Sequence, residues 1–430
     1  MPDDFPVRIR PARNISGTLR LPGDKSISHR YSMLAAIADG TTHLENFSTG
    51  ADCASTLQCL RALGVEWERK ENSVLIHGHS RNLQPPSVAL DCGNSGSTMR
   101  MLSGIVAAQK FTSELIGDKS LSLRPMARII APLKQMGAQV SAAPGDRPPL
   151  RISGGHLKAI DYKMPVASAQ VKSALLFAGL FADGETCVEE PVRTRDHGEQ
   201  ALRAFGAKVS ADRNQVRISA GQKLHAIEAT IPGDISSAAF FLCAASLFPQ
   251  SHLTLTGLGL NPTRSYLLDL LATMGARISI TQLEERHGEL VGAVQIAGAE
   301  LQGATIRSPQ TELLIDEIPV LAAIAPYTAT GIEIRDAREL RVKESDRIAA
   351  IATNLGKMGA HVEEREDGLR VPGSQRLHGA EIDSCGDHRI AMAFAVAALR
   401  GEGDTIIHGA DSAAISYPGY FATLDELTER

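Results

Sequence analysis

Apolar positions recur along the chain with a period of about 70 residues, as in repeat proteins. Five segments (LRALGVEW, LKQMGAQV, LRAFGAKV, LATMGARI and LGKMGAHV) share a leucine, an apolar residue, a glycine and a small residue before a final apolar position. Their glycines are Gly64, Gly137, Gly206, Gly275 and Gly359. A glycine here is typical of the residue that ends a helix. The pattern therefore predicts five helices that end at these glycines, each followed directly by a strand.

Two further features keep the same phase as the glycines. Strand-like runs carry an apolar residue at Leu44, Leu115, Val188, Leu255, Ile334 and Ile407. Apolar helices that follow small polar residues begin near Lys25, Ser95, Ser168, Ser236, Asp316 and Asp387. Each unit is thus predicted to alternate helices and strands, which makes the fold α/β with six repeats in total.

The two halves of the chain repeat one motif. LPGDKSIS (21–28) and IPGDISSA (231–238) share Pro-Gly-Asp-x-Ser, and each begins a block of three repeats. We therefore expect domain crossings near residues 21 and 234. One domain would comprise residues 22–234, and the other residues 1–21 plus 235–430. The first strand, within VRIRPARNISGTLRL, is expected to pair with the C-terminal block.

Charge and composition narrow the classes of function. The 44 Lys and Arg against 49 Asp and Glu give a net charge of −5, which argues against nucleic acid or an anionic membrane as the partner. No apolar run approaches the ~20 residues of a membrane helix, and MPDDFPVRIR has no export signal. The six cysteines are scattered without metal-binding spacing. We expect buried thiols, no metal site and a cytoplasmic protein.

The predicted helix starts are candidate anion sites, because their N–H groups are unpaired and carry partial positive charge. Basic and hydrogen-bonding residues lie at or beside them: Lys25, Ser26, Arg30, Arg100, Arg124, Ser168, Gln170, Lys172, Arg195, Lys343, Arg347 and Arg389. Singly, each could be a helix cap or a solvated charge. Their recurrence at one phase of the repeat favours instead a cleft that binds a ligand with several negative charges.

Two acids stand among these cations. Asp316 lies where an apolar run becomes a helix, and Glu344 lies three residues before Arg347. Asp316 could simply cap the helix, and Glu344 could belong to a surface ion pair. Nearby cations favour ionised carboxylates, so Asp316 could accept a hydroxyl proton, whereas Glu344 would need to gain a proton before acting as an acid.

Eight motifs in order, LPGDKSISHR, GNSGSTMR, GDKSLSLRPM, ASAQVKSALL, TRDH, IDEIP, RVKESDR and DHRIAM, resemble the 5-enolpyruvylshikimate-3-phosphate (EPSP) synthase family from about residue 8 to residue 424. The resemblance implies a two-domain inside-out α/β barrel, each domain made of three βαβαββ repeats, with a double crossover hinge. It also implies a monomer that transfers the enolpyruvyl group of phosphoenolpyruvate to the 5-hydroxyl of shikimate 3-phosphate in a closing cleft. No cofactor or metal is implied, and no nucleic acid or membrane partner.

The motifs also carry residue roles. The resemblance implies that shikimate 3-phosphate binds to Lys25, Ser26, Arg30, Ser168, Ala169, Gln170, Arg195, Asp316 and Lys343. It implies that phosphoenolpyruvate binds to Lys25, Gly96, Arg124, Gln170, Arg347 and Arg389. Asp316 would take the hydroxyl proton, and Glu344 or Lys25 would protonate the methylene carbon.

One position departs from the common pattern of the family: Ile415 stands where many members have a lysine. The nearest rival is UDP-N-acetylglucosamine enolpyruvyl transferase, which carries a reactive cysteine in its mobile loop. Here no cysteine occurs between Cys92 and Cys187, which argues against that enzyme. A non-catalytic sensor of phosphorylated metabolites is the other alternative, and it predicts the loss of Asp316 or Glu344, both of which are present.

Overall fold

The computed structural model of the chain describes residues 6–430, which form two compact units. The N unit comprises residues 22–231 and 286–289. The C unit comprises the other described residues, including the first strands of the chain. Within residues 6–430, no helix combines the length and the apolar character needed to cross a bilayer.

Helices and strands alternate through both units. The helices, α1 to α13, are Lys25–Ile37, Ala51–Ala62, Gly96–Val106, Ala127–Gln135, Ala169–Gly179, His197–Ala204, Ile235–Ser246, Tyr266–Thr273, Gln310–Leu314, Ile318–Ile324, Arg347–Lys357, His388–Ala398 and Tyr420–Glu426. The strands, β1 to β24, are Val7–Ile9, Asn14–Arg20, Thr41–Glu45, Trp67–Lys70, Ser73–His77, Leu90–Asp91, Thr112–Ile116, Gln139–Ala143, Arg147–Ser153, Asp161–Lys163, Glu185–Glu189, Val209–Asp212, Gln215–Ser219, Glu228–Thr230, His252–Gly259, Arg277–Arg286, Glu289–Ala297, Ala304–Ile306, Ile332–Ile334, Glu363–Arg365, Gly368–Val371, Glu381–Asp383, Thr405–His408 and Thr428–Glu429. Short 3₁₀ helices are Leu121–Leu123, Ala325–Tyr327, Arg338–Val342 and Ala410–Ile415.

The N unit contains three four-stranded sheets among its described residues, in the orders β14-β3-β5-β4, β6-β7-β9-β8 and β10-β11-β13-β12. In each sheet the first two strands are parallel and the remaining pairs are antiparallel. The first strand of the first sheet, β14, comes from the end of the unit and pairs Glu228 with His43. Each sheet thus completes one repeat of the same βαβαββ order.

The C unit repeats this arrangement with larger variation. Its described sheets have the orders β16-β17-β15-β2-β24, β18-β19-β21-β20 and β1-β23-β22. Strand β1 pairs antiparallel with β23, with Val7 opposite Ile407. The predicted pairing of the first strand with the C-terminal block is therefore confirmed.

The most apolar helices lie inside the two units. In α5 every residue from Val171 to Gly179 is buried, and in α7 all residues are buried. Many strands are buried on one face, as in β9, where buried and exposed residues alternate. A helix that is apolar all round must be enclosed, as α7 is. Residues of α1, α3 and α5 contribute to the core of the N unit, and residues of α7, α10 and α12 contribute to that of the C unit.

The five repeated glycines end helices as predicted. Each has a positive φ, from 86° at Gly64 to 110° at Gly275. At the first of them, the Gly64 N–H donates to Arg61 and the Val65 N–H donates to Leu60, which satisfies the last helical carbonyls. A side chain would be strained in this left-handed conformation, which explains why this feature could be predicted from single residues.

Candidate active site

In the N unit, the first two turns of α1 carry three of the predicted binding residues. The Asp24 carboxylate caps the helix by accepting from the Ile27 N–H at 2.9 Å. Lys25 follows, and its Nζ lies 3.0 Å from Oδ2 of Asp52, a buried residue in the first turn of α2. One turn further on, the guanidinium NH1 of Arg30 donates to the Ser26 carbonyl at 2.9 Å.

Arg30 also connects α1 to the start of α5. Its Nε donates to Ser173 Oγ at 3.0 Å, and its NH2 donates to the Ala169 carbonyl at 3.4 Å. Ser168 caps α5 through the Val171 N–H at 3.4 Å. The structure therefore brings Ser26, Arg30, Ser168 and Ala169 together; their binding of shikimate 3-phosphate, which the resemblance implies, stays a prediction.

The starts of α3 and α5 are joined by Gln170. Its Oε1 accepts from Arg100 NH1 at 2.8 Å, and its Nε2 donates to Ser97 Oγ at 2.8 Å. Gly96 is the first residue of α3, and a Cβ placed on it would lie 2.8 Å from Arg100 NH1 and 3.5 Å from Arg124 NH1. Gly96, Arg124 and Gln170, all predicted to bind phosphoenolpyruvate, are thus neighbours in the N unit.

Two further predicted cations of the N unit differ in their surroundings. Arg195 is partly exposed and lies in the loop directly before α6. Lys172 was expected among the cations that face the ligand, and this expectation is wrong. Its side chain is 0% exposed, with Nζ 2.9 Å from Glu190 and 2.7 Å from Glu199.

In the C unit, Asp316 lies just before α10 and faces two guanidinium groups. Its Oδ1 is 3.7 Å from Arg347 NH1 and 3.7 Å from Arg389 Nε. Arg389 NH1 also donates to the Asp316 carbonyl at 2.8 Å. The alternative that Asp316 simply caps the helix is not supported, because Glu317 occupies the cap position of α10.

Arg347 lies among several carboxylates of the C unit. Its side chain is 1% exposed, and it contacts Asp387 at 2.8 Å and Glu344 at 2.7 Å. Burial alone would lower the pKa of Arg347, but Asp387 and Glu344 outweigh burial and raise it. The alternative of a surface ion pair for Glu344 and Arg347 is therefore wrong.

Lys343 lies partly buried next to these groups. Desolvation lowers the pKa of its ammonium, and the attraction of Asp316 and Glu339 only partly opposes this effect. Lys343, Arg347 and Arg389 thus supply three cations in the C unit, beside the carboxylates of Asp316, Glu344 and Asp387. Within residues 6–430, no group of three or more His, Cys, Asp or Glu side chains is placed to hold a metal ion.

Comparison with known proteins identifies the family of the chain. The family model of EPSP synthase (3-phosphoshikimate 1-carboxyvinyltransferase) matches residues 9–424. The chain is 61% identical over 425 residues to the 3-phosphoshikimate 1-carboxyvinyltransferase of Koribacter versatilis, covering 99% of each chain. It is 45% identical to that of Bacillus pumilus, covering 98% of this chain and all of the relative.

The chain belongs to the EPSP synthase family. An EPSP synthase structure from Acinetobacter baumannii superposes with a TM-score of 0.88 at 42% identity, covering 98% of each chain. The enolpyruvyl transferase NikO from Streptomyces tendae has the same fold, with a TM-score of 0.79 at 19% identity over 98% of this chain and 97% of that one. The predicted family and the inside-out α/β fold class are therefore confirmed.

Sequence reasoning missed the residues that hold the predicted ones in this EPSP synthase family member. Asp52 contacts Lys25, Ser173 contacts Arg30, and Asp387 contacts Arg347. The Asp387 carboxylate caps α12 by accepting from the Arg389 N–H at 2.9 Å. The sequence pointed to Asp387 only as the start of a helix and gave no sign of its contact with Arg347. None of the three could be paired from spacing, because each contact joins distant parts of the chain.

Proposed function

We propose that this chain transfers the enolpyruvyl group of phosphoenolpyruvate to the 5-hydroxyl of shikimate 3-phosphate and releases phosphate. The observation that carries the proposal is the grouping of the family's motif residues around helix starts in each unit. Phosphate and carboxylate groups suit such sites, because N–H groups, arginine forks and lysines all stabilise negative charge.

The N-unit residues support the site proposed for shikimate 3-phosphate. Its proposed residues are Lys25, Ser26, Arg30, Ser168, Ala169, Gln170, Arg195, Asp316 and Lys343. Arg30 lies within hydrogen-bonding distance of the carbonyls of Ser26 and Ala169, so one guanidinium connects the starts of α1 and α5. Donors that are fixed in this way favour the recognition of a phosphate group that the ring of shikimate 3-phosphate holds in one position.

Phosphoenolpyruvate is proposed to bind to Lys25, Gly96, Arg124, Gln170, Arg347 and Arg389. Arg124 is held in place by Asn94 at 2.7 Å and by Ser120 at 3.2 Å, and Arg347 by Asp387. Ile415 ends a 3₁₀ helix, and no lysine or arginine stands between Arg400 and Arg430. The proposed site therefore relies on arginines without a lysine from this C-terminal segment.

The proposed mechanism is addition followed by elimination. Asp316 removes the proton of the 5-hydroxyl, whose oxygen bonds to C2 of phosphoenolpyruvate, while Glu344 or Lys25 delivers a proton to C3. The C2–O bond to phosphate then breaks, and a proton leaves C3 to restore the double bond. Ionised Asp316 suits the role of base, because the guanidinium groups of Arg347 and Arg389 stabilise its carboxylate form.

A phosphate-release assay with identified products tests the proposed function. We expect phosphate release from phosphoenolpyruvate only when shikimate 3-phosphate is present, with a product heavier by one enolpyruvyl group in the mass spectrum. Release with UDP-N-acetylglucosamine and none with shikimate 3-phosphate would assign the chain to the sister reaction. If neither acceptor supports phosphate release, both candidate activities are refuted.

Replacing Gly96 by alanine is expected to weaken phosphoenolpyruvate binding selectively. The new Cβ would lie 2.8 Å from Arg100 NH1, so the guanidinium of Arg100 must shift and its hydrogen bond to Gln170 is disturbed. We expect KM for phosphoenolpyruvate to rise by about tenfold and that for shikimate 3-phosphate to change little. The free energy of unfolding should change by no more than about 1 kcal/mol, the difference between alanine and glycine inside a helix, because Gly96 is the first residue of α3. Equal increases in both KM values would contradict the assignment of Gly96.

The lowered pKa of Lys343 predicts a pH dependence of binding. Above this pKa the amine is neutral, so KM for shikimate 3-phosphate should rise with pH below the range where an ordinary lysine titrates. The unfolded chain holds this proton more tightly, so the contribution of Lys343 to stability increases as pH rises between the two pKa values. Lys343→Arg should flatten the KM profile; an unchanged profile would exclude Lys343 from the site.

We also propose that the enzyme acts as a monomer, without a cofactor, in the cytoplasm. All six cysteines are free thiols and five of them are buried, which suits a reducing compartment. Light scattering of the active enzyme should give the mass of one chain, and a dimer mass would contradict the monomer. Activity that survives exhaustive treatment with a chelator is expected, and its loss would contradict the absence of a metal.

A further inference from the structure

Lys172 is a charged residue in the interior of the N unit. It is the fourth residue of α5, and its side chain is 0% exposed. The positive end of a helix disfavours a cation at this position. Burial of an ammonium group requires opposite charges, and both Glu190 and Glu199 supply them at 2.9 Å and 2.7 Å. Lys172 therefore serves contacts inside the protein and not a ligand in solvent.

Its two partners lie at the ends of one segment. Glu190 directly follows β11, and Glu199 lies in the first turn of α6. Glu190 Oε1 also accepts hydrogen bonds from the Thr194 N–H, at 3.2 Å, and from the Thr194 hydroxyl. Arg195 is the next residue after Thr194. The ammonium of Lys172 thus fixes residues 190–199 on both sides of Arg195.

The same helix start holds the other residues proposed for shikimate 3-phosphate. Ser173, next to Lys172, accepts from Arg30 Nε at 3.0 Å. A Cβ on Gly198 would lie 2.6 Å from Ser173 Oγ, so α6 approaches α5 at a distance that only glycine allows. The position of the 190–199 segment is therefore set by close contact as well as by charge.

We propose that Lys172, together with Glu190 and Glu199, is a positioning residue that places Arg195 against the start of α5, where Ser168, Ala169 and Arg30 lie, to bind the phosphate of shikimate 3-phosphate. This inference rests on the proposed function, because it assigns Arg195 and the α5 start to one ligand. Lys172 itself does not touch the substrate. The ion cluster of Lys172, Glu190 and Glu199 holds residues 190–199 in place before the substrate binds. Ordering this segment during binding would instead lower the affinity for the substrate.

Glu190→Gln tests the proposal, since glutamine has the same shape and can still accept from Thr194. The glutamine presents either its NH2 group or its uncharged carbonyl oxygen to Lys172. The segment therefore loses its ion pair at residue 190 and keeps the one at Glu199. We expect KM for shikimate 3-phosphate to rise about 10-fold to 100-fold, with KM for phosphoenolpyruvate within about twofold of the wild type. Glu189→Gln is the matched control, because it removes the ion pair with the exposed Lys163 at 3.2 Å, while its amide oxygen can still accept from Gln215, and it should change neither KM.

Folding is monitored in the same unit by Trp67, the single tryptophan of the chain. Rates are compared only where the Trp67 fluorescence of each variant is that of the folded wild type. If Glu190→Gln does not fold, Thr194→Val replaces it, because it removes one hydrogen bond to Glu190 and leaves all three charges. We expect from it a selective rise of about threefold in KM for shikimate 3-phosphate. An unchanged KM in a folded variant, or equal increases in both KM values, would overturn the proposal.

A double-mutant cycle with Arg195→Gln separates positioning from general stability. If Glu190 acts through Arg195, Glu190→Gln should add little to KM for shikimate 3-phosphate in the Arg195→Gln background. Effects that multiply in full would refute action through Arg195. The wild-type assay is read first: absence of phosphate release that depends on shikimate 3-phosphate refutes the proposed function, whereas normal release with unchanged variants refutes only the positioning role.

Discussion

Asp316→Asn is expected to lower kcat by about 10²-fold to 10⁴-fold while both KM values stay within a few-fold of the wild type. Asparagine has the same shape and still offers a carbonyl oxygen to Arg347 and Arg389, which lie 3.7 Å from the carboxylate. It cannot accept the proton of the 5-hydroxyl, so the loss falls on the chemical step. Steady-state rates with each substrate varied in turn measure the two effects separately.

Asp404→Asn is the matched control for this variant. Asp404 belongs to the same unit and contacts Arg8 at 3.0 Å in an exposed ion pair, so its substitution should leave kcat and both KM values unchanged. Equal losses in kcat and in substrate affinity for Asp316→Asn would make Asp316 a binding residue. Full activity would transfer the role of base to another group, and Glu344→Gln would then be the next variant to measure.

The features that the sequence predicted best depend on single residues. The helix ends at Gly64 and Gly275 follow from one backbone conformation that glycine adopts at low cost. The helix starts at Ser95 and Ser168 follow from a side chain that caps the first turn. Such features are local, so a period in the sequence is sufficient to place them.

The partners of the functional residues could not be predicted, because they depend on which loops meet. Asp52 is separated from Lys25 by 27 positions, and Asp387 from Arg347 by 40. The prediction that Lys172 faces the ligand failed for a similar reason. A cation near a helix start can point to solvent or to the interior, and sequence spacing does not distinguish the two. The apolar residues around it, in AQVKSALLFAG, were a signal that this helix is enclosed.

The ion pairs also change the electrostatic interpretation. The sequence indicated a concentration of positive charge, whereas Lys25, Lys172 and Arg347 each have a carboxylate within 3.0 Å in their own unit. A phosphorylated ligand must therefore compete with carboxylates for the exposed cations or use cations that buried carboxylates hold in place. The second case applies to Arg347, whose pairing with Asp387 leaves its NH1 directed towards Asp316.

Arg347→Met is expected to destabilise the C unit by about 3–5 kcal/mol, because it leaves the 0% exposed carboxylate of Asp387 without its guanidinium partner. KM for phosphoenolpyruvate should rise by about 100-fold or more in the folded fraction, since the charge-assisted donor NH1 of Arg347 is lost. Urea unfolding followed by circular dichroism measures the stability of the whole chain, and Trp67 fluorescence reports on the N unit separately.

Two further variants of the C unit test whether the lower stability of Arg347→Met comes from the unpaired carboxylate of Asp387. Arg341→Met removes a partly exposed arginine that contacts Asp346 at 2.8 Å and Glu364 at 2.9 Å and donates to the carbonyls of Arg365 and Glu366, and it should cost about 1 kcal/mol or less per contact. Adding Asp387→Asn to Arg347→Met should restore much of the stability without restoring the affinity for phosphoenolpyruvate, because the buried charge is removed together with its partner. If Arg347→Met is no less stable than Arg341→Met, burial of Arg347 does not carry this energetic cost; if the double variant regains affinity, Arg347 does not bind phosphoenolpyruvate.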